Sequence, residues 1–179
     1  MENLTTISEY IEMNKDQIEL IKMKGLRNRI KNECNILYKQ YHNVLIEFDI
    51  EKNITIKAVE FTNTNAITYK FLITHLFPFY PPKIFVNNLS YLNILKMTGE
   101  YEKNTLKKII GQDCLCCHSL NCSVNWSPAI KLYNIIDEIK NTLKIKRDIV
   151  NLLLADKIKI KYNIPYAHIE DYLVFPIHL

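Results

Sequence analysis

The sequence predicts a single α+β domain with a helix at its start, a four-stranded antiparallel meander in the middle and helices at its end. Three patterns support this. Apolar residues recur every three to four positions over residues 18–38, alternate over 44–86, and return to the helical period after Trp126. The length of 179 residues suits one domain, and 48% hydrophobic with 23% charged residues is ordinary for a globular chain.

The first helix is predicted from its apolar stripe. The residues on this stripe are Leu26, Ile30, Cys34 and Leu37. Gly25 leaves open two helices that meet there, because a glycine inside a helix costs about 1 kcal/mol relative to alanine. We predict residues 1–20 to be an N-terminal extension of a domain that spans residues 21–157.

The meander is predicted from runs of alternating apolar residues that begin at Val44, Ile54 and Tyr69, with polar turns between them. Short strands joined by tight turns favour antiparallel pairing. The prolines in residues 77–82 exclude a paired central strand there. A fourth strand is predicted at residues 84–86.

An irregular stretch follows over residues 87–122, with a short helix predicted at 102–110. A long irregular stretch in a compact domain is usually functional or an insertion. Ser127 suits a helix N-cap and Pro128 the first helical position, so a helix is predicted to open there. A further helix is predicted near residues 148–157, and residues 158–179 are predicted to form a C-terminal extension that packs on the domain through 166–175.

Composition and charge narrow the class of protein. The N-terminus lacks the basic and apolar regions of a secretory signal, and no apolar run approaches the roughly 18 residues of a membrane span. The net charge of +4 comes without basic runs interleaved with aromatics, so neither a nucleic acid nor a membrane is expected as a partner. We expect a monomer in the cytoplasm or nucleus.

Four of the five cysteines crowd into residues 114–122. In a reducing compartment, such a cluster indicates a catalytic or metal-binding site before a disulfide framework. The sulfur of a cysteine on an irregular segment is accessible, and a thiolate is both a nucleophile and a good leaving group.

Three short motifs, in order, resemble the ubiquitin-conjugating enzyme family over about residues 24 to 150. They are the Phe-Pro-Phe-Tyr-Pro-Pro-Lys-Ile of residues 77–84, the Gly-Gln-Asp-Cys-Leu of 111–115 and the Trp-Ser-Pro-Ala of 126–129. The resemblance implies the UBC-like fold. The chain departs from the family in having no His-Pro-Asn, and residues 95–110 look like an insertion.

The resemblance implies a role for each matched residue. Cys114 would carry ubiquitin, or a ubiquitin-like protein, as a thioester received from the activating enzyme and passed to a lysine. Asn93 would stabilise the oxyanion, although it lies further from the cysteine than in the family. Asp148 would orient the lysine, unless it caps the following helix. No cofactor is implied.

The resemblance also implies two binding surfaces. Phe79, Pro128 and Ala129 match the positions that dock ubiquitin ligases, with core packing and helix initiation as the alternatives. Arg27 and Lys31 would face the activating enzyme, or simply form a solvated basic face.

Two other functions remain open from the residues. One is a zinc-binding interaction domain, since zinc takes four sulfur or nitrogen ligands and the stretch offers five. Those five are Cys114, Cys116, Cys117, His118 and Cys122. The other is a catalytically inactive conjugating-enzyme-like adaptor that binds ubiquitin or ligases.

Overall fold

The computed structural model describes residues 18–41, 43–48, 53–62 and 65–162. Within these ranges the chain is an α+β fold with a five-stranded antiparallel sheet and four α-helices. The helices are α1 Lys24–Tyr41, α2 Tyr91–Ile94, α3 Glu100–Ile110 and α4 Leu132–Tyr162. The strands are β1 Asn43–Phe48, β2 Ile54–Phe61, β3 Ala66–Ile73, β4 Lys83–Val86 and β5 Leu89–Ser90.

The sheet is a meander in the order β1-β2-β3-β4-β5, as the alternating pattern predicts. One apolar row crosses four strands, and all its members are buried because side chains in register share a face. The row pairs Ile46 with Ile56, Ile56 with Phe71, and Phe71 with Ile84. The prediction of four strands is one too few, since a two-residue strand is too short to show alternation.

The apolar period over residues 18–38 is divided between two helical stretches. The chain is helical at residues 18–19, leaves the helix over 21–23, and resumes at Lys24. Gly25 therefore lies in the first turn of α1, and the break precedes it. The Arg27 side chain bridges the break, because its Nε donates to the carbonyl oxygen of Ile21 at 2.9 Å.

The last helix, α4, is one continuous element of 31 residues. The predictions that it opens at Pro128, and that a separate helix follows near residue 148, are wrong. Ser127 forms a turn instead, with the Ile130 amide donating to its carbonyl oxygen at 3.0 Å. The sequence places neither Gly nor Pro within α4, so nothing interrupts the helix.

Glu33 joins α1 to the start of α4. Its carboxylate is fully buried and accepts the backbone N–H of Leu132 at 2.8 Å, so it satisfies one of the amides left free at the helix start. Arg29 Nε lies 2.7 Å from the same carboxylate and Lys131 Nζ lies 4.0 Å away. Burial raises the pKa of Glu33, against the lowering effect of these partners.

A single core unites the sheet with α1 and α4, and it also includes residues of the segment 95–110. Leu95 and Leu106 from that segment are at most 2% exposed, so this segment contributes to the core. Helix α4 continues past residue 157, the predicted end of the domain, to Tyr162. The predicted extension over 1–17 and the tail over 163–179 lie outside the described residues.

None of the helices within the described ranges is both long enough and apolar enough to cross a membrane.

Candidate functional site

The site lies on the irregular segment between α3 and α4, which we call the cysteine loop (residues 111–125). Gly111 ends α3 in the left-handed conformation, with φ of 73°, and its amide donates to the Lys107 carbonyl oxygen at 2.9 Å. This is a common way for a helix to stop, and it turns the chain abruptly into the loop. A short 3-10 turn, Cys116–His118, follows.

Three thiols converge on this turn, and we call Cys114, Cys116 and Cys117 the thiol cluster. The sulfur of Cys114 lies 2.6 Å from that of Cys116 and 3.1 Å from that of Cys117. The Cys117 backbone N–H also donates to the Cys114 sulfur at 3.3 Å. Cys114 is partly buried, whereas Cys116 and Cys117 are exposed. The loop therefore presents three sulfurs at one point of the surface.

Hydrogen bonds within the cluster shift the pKa of Cys114 in one direction and those of Cys116 and Cys117 in the other. The Cys116 thiol, aided by Cys117 and backbone amides, lowers the pKa of Cys114 despite some burial. The same bonds raise the pKa of Cys116, and they raise the pKa of Cys117 to about 11. Stabilising one thiolate makes its neighbours harder to ionise. Cys114 is thus the member of the cluster that most readily becomes a thiolate.

Glu138 on α4 holds the cysteine loop in place. Its carboxylate accepts three hydrogen bonds of 2.6 Å each, from Ser119 Oγ, the Leu120 backbone N–H and the Tyr91 hydroxyl. The Tyr91 hydroxyl is also 3.1 Å from Thr142 Oγ1. Hydrogen bonds to a charged acceptor are worth more than neutral ones. Glu138 therefore fixes both the loop and α2 to the long helix.

Sequence reasoning missed Glu138. The only signal is its place on α4 beside the apolar positions Ile135 and Ile139, where an acid needs a partner.

Asn125 clamps the turn that carries the thiols. Its side-chain amide donates to the carbonyl oxygens of Cys117 at 2.8 Å and Ser119 at 3.1 Å. Asn121, 9% exposed, has no hydrogen-bond partner at Oδ1 among the described residues. Both residues were missed because asparagine is so common in this chain that position alone does not distinguish them.

The candidate oxyanion residue Asn93 belongs to a different feature. It is exposed on α2, its Oδ1 accepts from Lys96 Nζ at 3.1 Å, and it lines a cavity of about 660 Å³ between the sheet and α4. The described lining of that cavity includes none of the cysteines. Asp148 lies in the middle of α4, 3.9 Å from Arg147 Nε, so it does not cap a later helix.

Phe79, Pro128 and Ala129 are all exposed, and we call them the aromatic surface. Trp126 brings their two segments together, because its indole N–H donates to the Pro78 carbonyl oxygen at 2.8 Å. The Trp126 ring also lies 6.1 Å from that of Phe77, centroid to centroid. The Phe79 side chain is 76% exposed and follows Pro78, the residue whose carbonyl oxygen Trp126 binds.

The two basic residues predicted to contact an activating enzyme differ in their contacts. Arg27 Nη1 lies 2.6 Å from the Glu19 carboxylate, and its Nε bonds to the Ile21 carbonyl, so this side chain supports the helix start. Lys31 is exposed on α1.

Of the five residues considered as zinc ligands, the structure gathers three. Cys114, Cys116 and Cys117 have sulfurs that all lie within 4.8 Å of one another. His118 and Cys122 are not part of that group, which is the one such group among the described residues.

No family model matches the chain, and neither does any curated protein or solved structure.

Proposed function

We propose that this chain is a thiol acyltransferase of the ubiquitin-conjugating kind, with Cys114 as the residue that carries the acyl group. The observation that carries the proposal is the setting of the Cys114 sulfur. It lies just before the exposed 3-10 turn, accepts a backbone N–H, and touches two further thiols. The loop that carries Cys114 is anchored to the long helix by Glu138. The modifier is ubiquitin or a ubiquitin-like protein, met in the cytoplasm or nucleus where thiols stay reduced.

The chemistry takes two acyl transfers. The Cys114 thiolate attacks the acyl carbon of the thioester on the activating enzyme, and the activating enzyme's cysteine leaves as a thiolate. A lysine amine of the substrate then attacks the acyl carbon on Cys114. An amide forms, the Cys114 thiolate leaves, and the proton of the amine passes to solvent.

Asn93 and Asp148 receive no part in these steps. Asn93 contacts Lys96 and lines the separate cavity, while Asp148 lies beside Arg147 within α4. The amide of Asn125 is nearer in the chain to the thiols, but it already donates to two loop carbonyls. We assign it the role of positioning the turn rather than of touching the acyl group.

The aromatic surface supports ligase docking. An exposed aromatic ring beside small apolar residues is the kind of anchor that dominates protein interfaces. The hydrogen bond from Trp126 to the Pro78 carbonyl fixes the distance between the two segments that form this surface. On α1, the exposed Lys31 is the better candidate for contact with the activating enzyme, since Arg27 is already paired with Glu19.

The test is thioester formation with activating enzyme, ATP and ubiquitin. We expect a thiol-sensitive adduct that is abolished in Cys114→Ala and retained in Cys122→Ala. Retention in Cys114→Ala with loss in Cys117→Ala would move the nucleophile to Cys117. If the wild-type chain forms no adduct with ubiquitin or with ubiquitin-like proteins, the enzyme proposal fails.

An adaptor without catalysis is the second candidate, because the aromatic surface is built without any of the thiols. It predicts that a ligase or ubiquitin still binds Cys114→Ala, and that Phe79→Ala weakens binding at least about tenfold, the loss of one interface anchor. Phe61→Ala is the matched control, since Phe61 is 68% exposed on β2 outside this surface. Equal loss in both variants would exclude a specific docking role for Phe79.

A further inference from the structure

We infer that the thiol cluster is a binding site for a thiophilic cation of the Zn²⁺ class, with Cys114, Cys116 and Cys117 as its three protein ligands. The three sulfurs all lie within 4.8 Å of one another, each on a free cysteine. Metal binding does not depend on the proposed acyl transfer.

The sulfur positions are close to those that a bound ion requires. A zinc–sulfur bond is about 2.3 Å, which sets tetrahedral sulfur–sulfur separations of roughly 3.8 Å. The Cys116 and Cys117 sulfurs are already 4.0 Å apart. The separations of 2.6 and 3.1 Å from Cys114 must widen by roughly 1 Å to reach that geometry. Two of the three side chains are exposed, so rotation about their side-chain bonds can supply the change without moving the backbone.

The backbone beneath the ligands is held in place from two sides. The Asn125 amide binds the Cys117 and Ser119 carbonyls, and Glu138 binds the Ser119 hydroxyl and the Leu120 amide. Neither clamp uses a sulfur. Because these hydrogen bonds already hold the backbone and leave the sulfurs available, little conformational freedom is lost when an ion binds.

The donor set selects the class of ion. Three thiolates favour zinc or another soft ion over magnesium or calcium, which prefer oxygen ligands. Binding releases the three thiol protons to solvent, so Zn²⁺ with three thiolates carries a net charge of −1. Three protein ligands leave the fourth position of the tetrahedron to water, an arrangement seen in open zinc sites.

A bound ion would occupy the Cys114 sulfur, so metal and acyl group cannot be held together. This regulatory consequence, unlike binding itself, rests on the proposed function. Zinc would reversibly block thioester formation, and a chelator would restore it.

The direct test is a Zn²⁺ titration of the fully reduced chain in competition with a chromophoric chelator. We expect one equivalent per chain, with affinity at least about tenfold weaker in Cys116→Ser and in Cys117→Ser, because each removes a ligand and even the loss of a ligand's outer partner costs about tenfold. Cys122→Ser is the matched control and should bind as the wild type does. Circular dichroism of each variant checks that the loss is not a loss of folding.

Co²⁺ in place of Zn²⁺ gives a second measurement. Its sulfur-to-metal absorption should be present in the wild type and weaker in each variant that lacks one thiolate, because the absorption arises from the sulfur–metal bonds. Three results would each overturn this site. The first is that Cys122→Ser weakens Zn²⁺ affinity as much as the ligand variants do, and the second is a stoichiometry of half an equivalent per chain. The third is that the wild type binds no more tightly than a variant in which Cys114, Cys116 and Cys117 are all replaced by serine.

The two proposals fail separately. Zinc binding without any thioester would leave the metal site standing and refute the enzyme. Thioester formation that neither zinc nor a chelator affects, in a chain that does not bind zinc, would refute the metal site alone.

Discussion

Two regions of the molecule combine a carboxylate with a thiol, and they do so in opposite surroundings. On α1, Glu33 and Cys34 are adjacent and at most 1% exposed. In the cysteine loop, the partly buried Glu138 supports a turn whose thiols reach solvent. The residue types are the same, so the difference in chemistry comes from packing.

The partners of the two carboxylates follow from that difference. Glu33 is fully buried and meets the cations Arg29 and Lys131, because an isolated buried charge is costly. Glu138 meets hydroxyls and a backbone amide, whose hydrogen bonds are sufficient for a carboxylate near the surface. The first region supports the stability of the fold, and the second holds a reactive segment in position.

The largest expected difference between the regions is in thiol reactivity. Burial raises the pKa of Cys34 to about 12, whereas the pKa of Cys114 is lowered. Since the thiolate is the nucleophile, iodoacetamide near pH 8 should modify Cys114 at least about 1,000 times faster than Cys34. Peptide mass spectrometry after timed labelling measures both rates. In denaturant the two should react alike, and native labelling of Cys34 at a similar rate would contradict its burial.

Breaking the buried region should have the next largest effect. Glu33→Gln keeps the shape but leaves the charge of Arg29 unpaired in a nearly buried site, so we expect the free energy of unfolding to fall by about 3–5 kcal/mol. Urea denaturation followed by circular dichroism measures it. A loss under 1 kcal/mol would mean that this ion pair does not support the fold.

Breaking the loop anchor should cost less and act locally. Glu138→Gln removes the charge from three hydrogen bonds, so the free energy of unfolding should fall by about 1–2 kcal/mol. Hydrogen exchange should accelerate at the Leu120 amide and leave α1 unchanged. The neighbouring exposed acid gives the control, Asp137→Asn, which should change neither quantity. Uniform acceleration across both regions would show that the anchor is not local.

The smallest effect is expected on the sheet surface. Glu47 pairs with Lys57 at 2.7 Å between strands, but its side chain is 51% exposed. Glu47→Gln should lower the free energy of unfolding by under about 1 kcal/mol, as exposed ion pairs do. The same urea denaturation compares it with Glu33→Gln. A loss as large as that of Glu33→Gln would show that burial does not determine how much each ion pair stabilises the fold.

The sequence predicted the parts of the fold that repeat. Alternation located the three longest strands, and the helical period placed the buried face of α1. The same period puts Glu33 among Leu26, Ile30 and Leu37, so a buried acid was detectable as a charge within an apolar stripe. Arg29 lies one turn earlier on the same helix, but the partners Leu132 and Lys131 could not be predicted, because they come from a distant part of the chain.

The misses share a cause. Ser127 and Pro128 suit a helix start in isolation. In the structure, Trp126 hydrogen-bonds to the Pro78 carbonyl oxygen, and the residues that follow it form a turn. The sequence singled out Cys114 and the crowding of thiols around it, yet which thiols meet depends on clamps by Glu138 and Asn125. Such clamps join side chains to distant or irregular backbone and leave no periodic signal.

The hydrogen bond between Trp126 and Pro78 has a practical consequence. This chain contains one tryptophan, so its intrinsic fluorescence comes from a single known place when tyrosine is not excited. That indole lies near the Phe77 ring and donates to the Pro78 carbonyl oxygen, and Trp126 directly precedes the turn that contains Pro128 and Ala129. The molecule thus carries its own optical reporter at the aromatic surface. Its emission would report, without a label, whether anything has docked there.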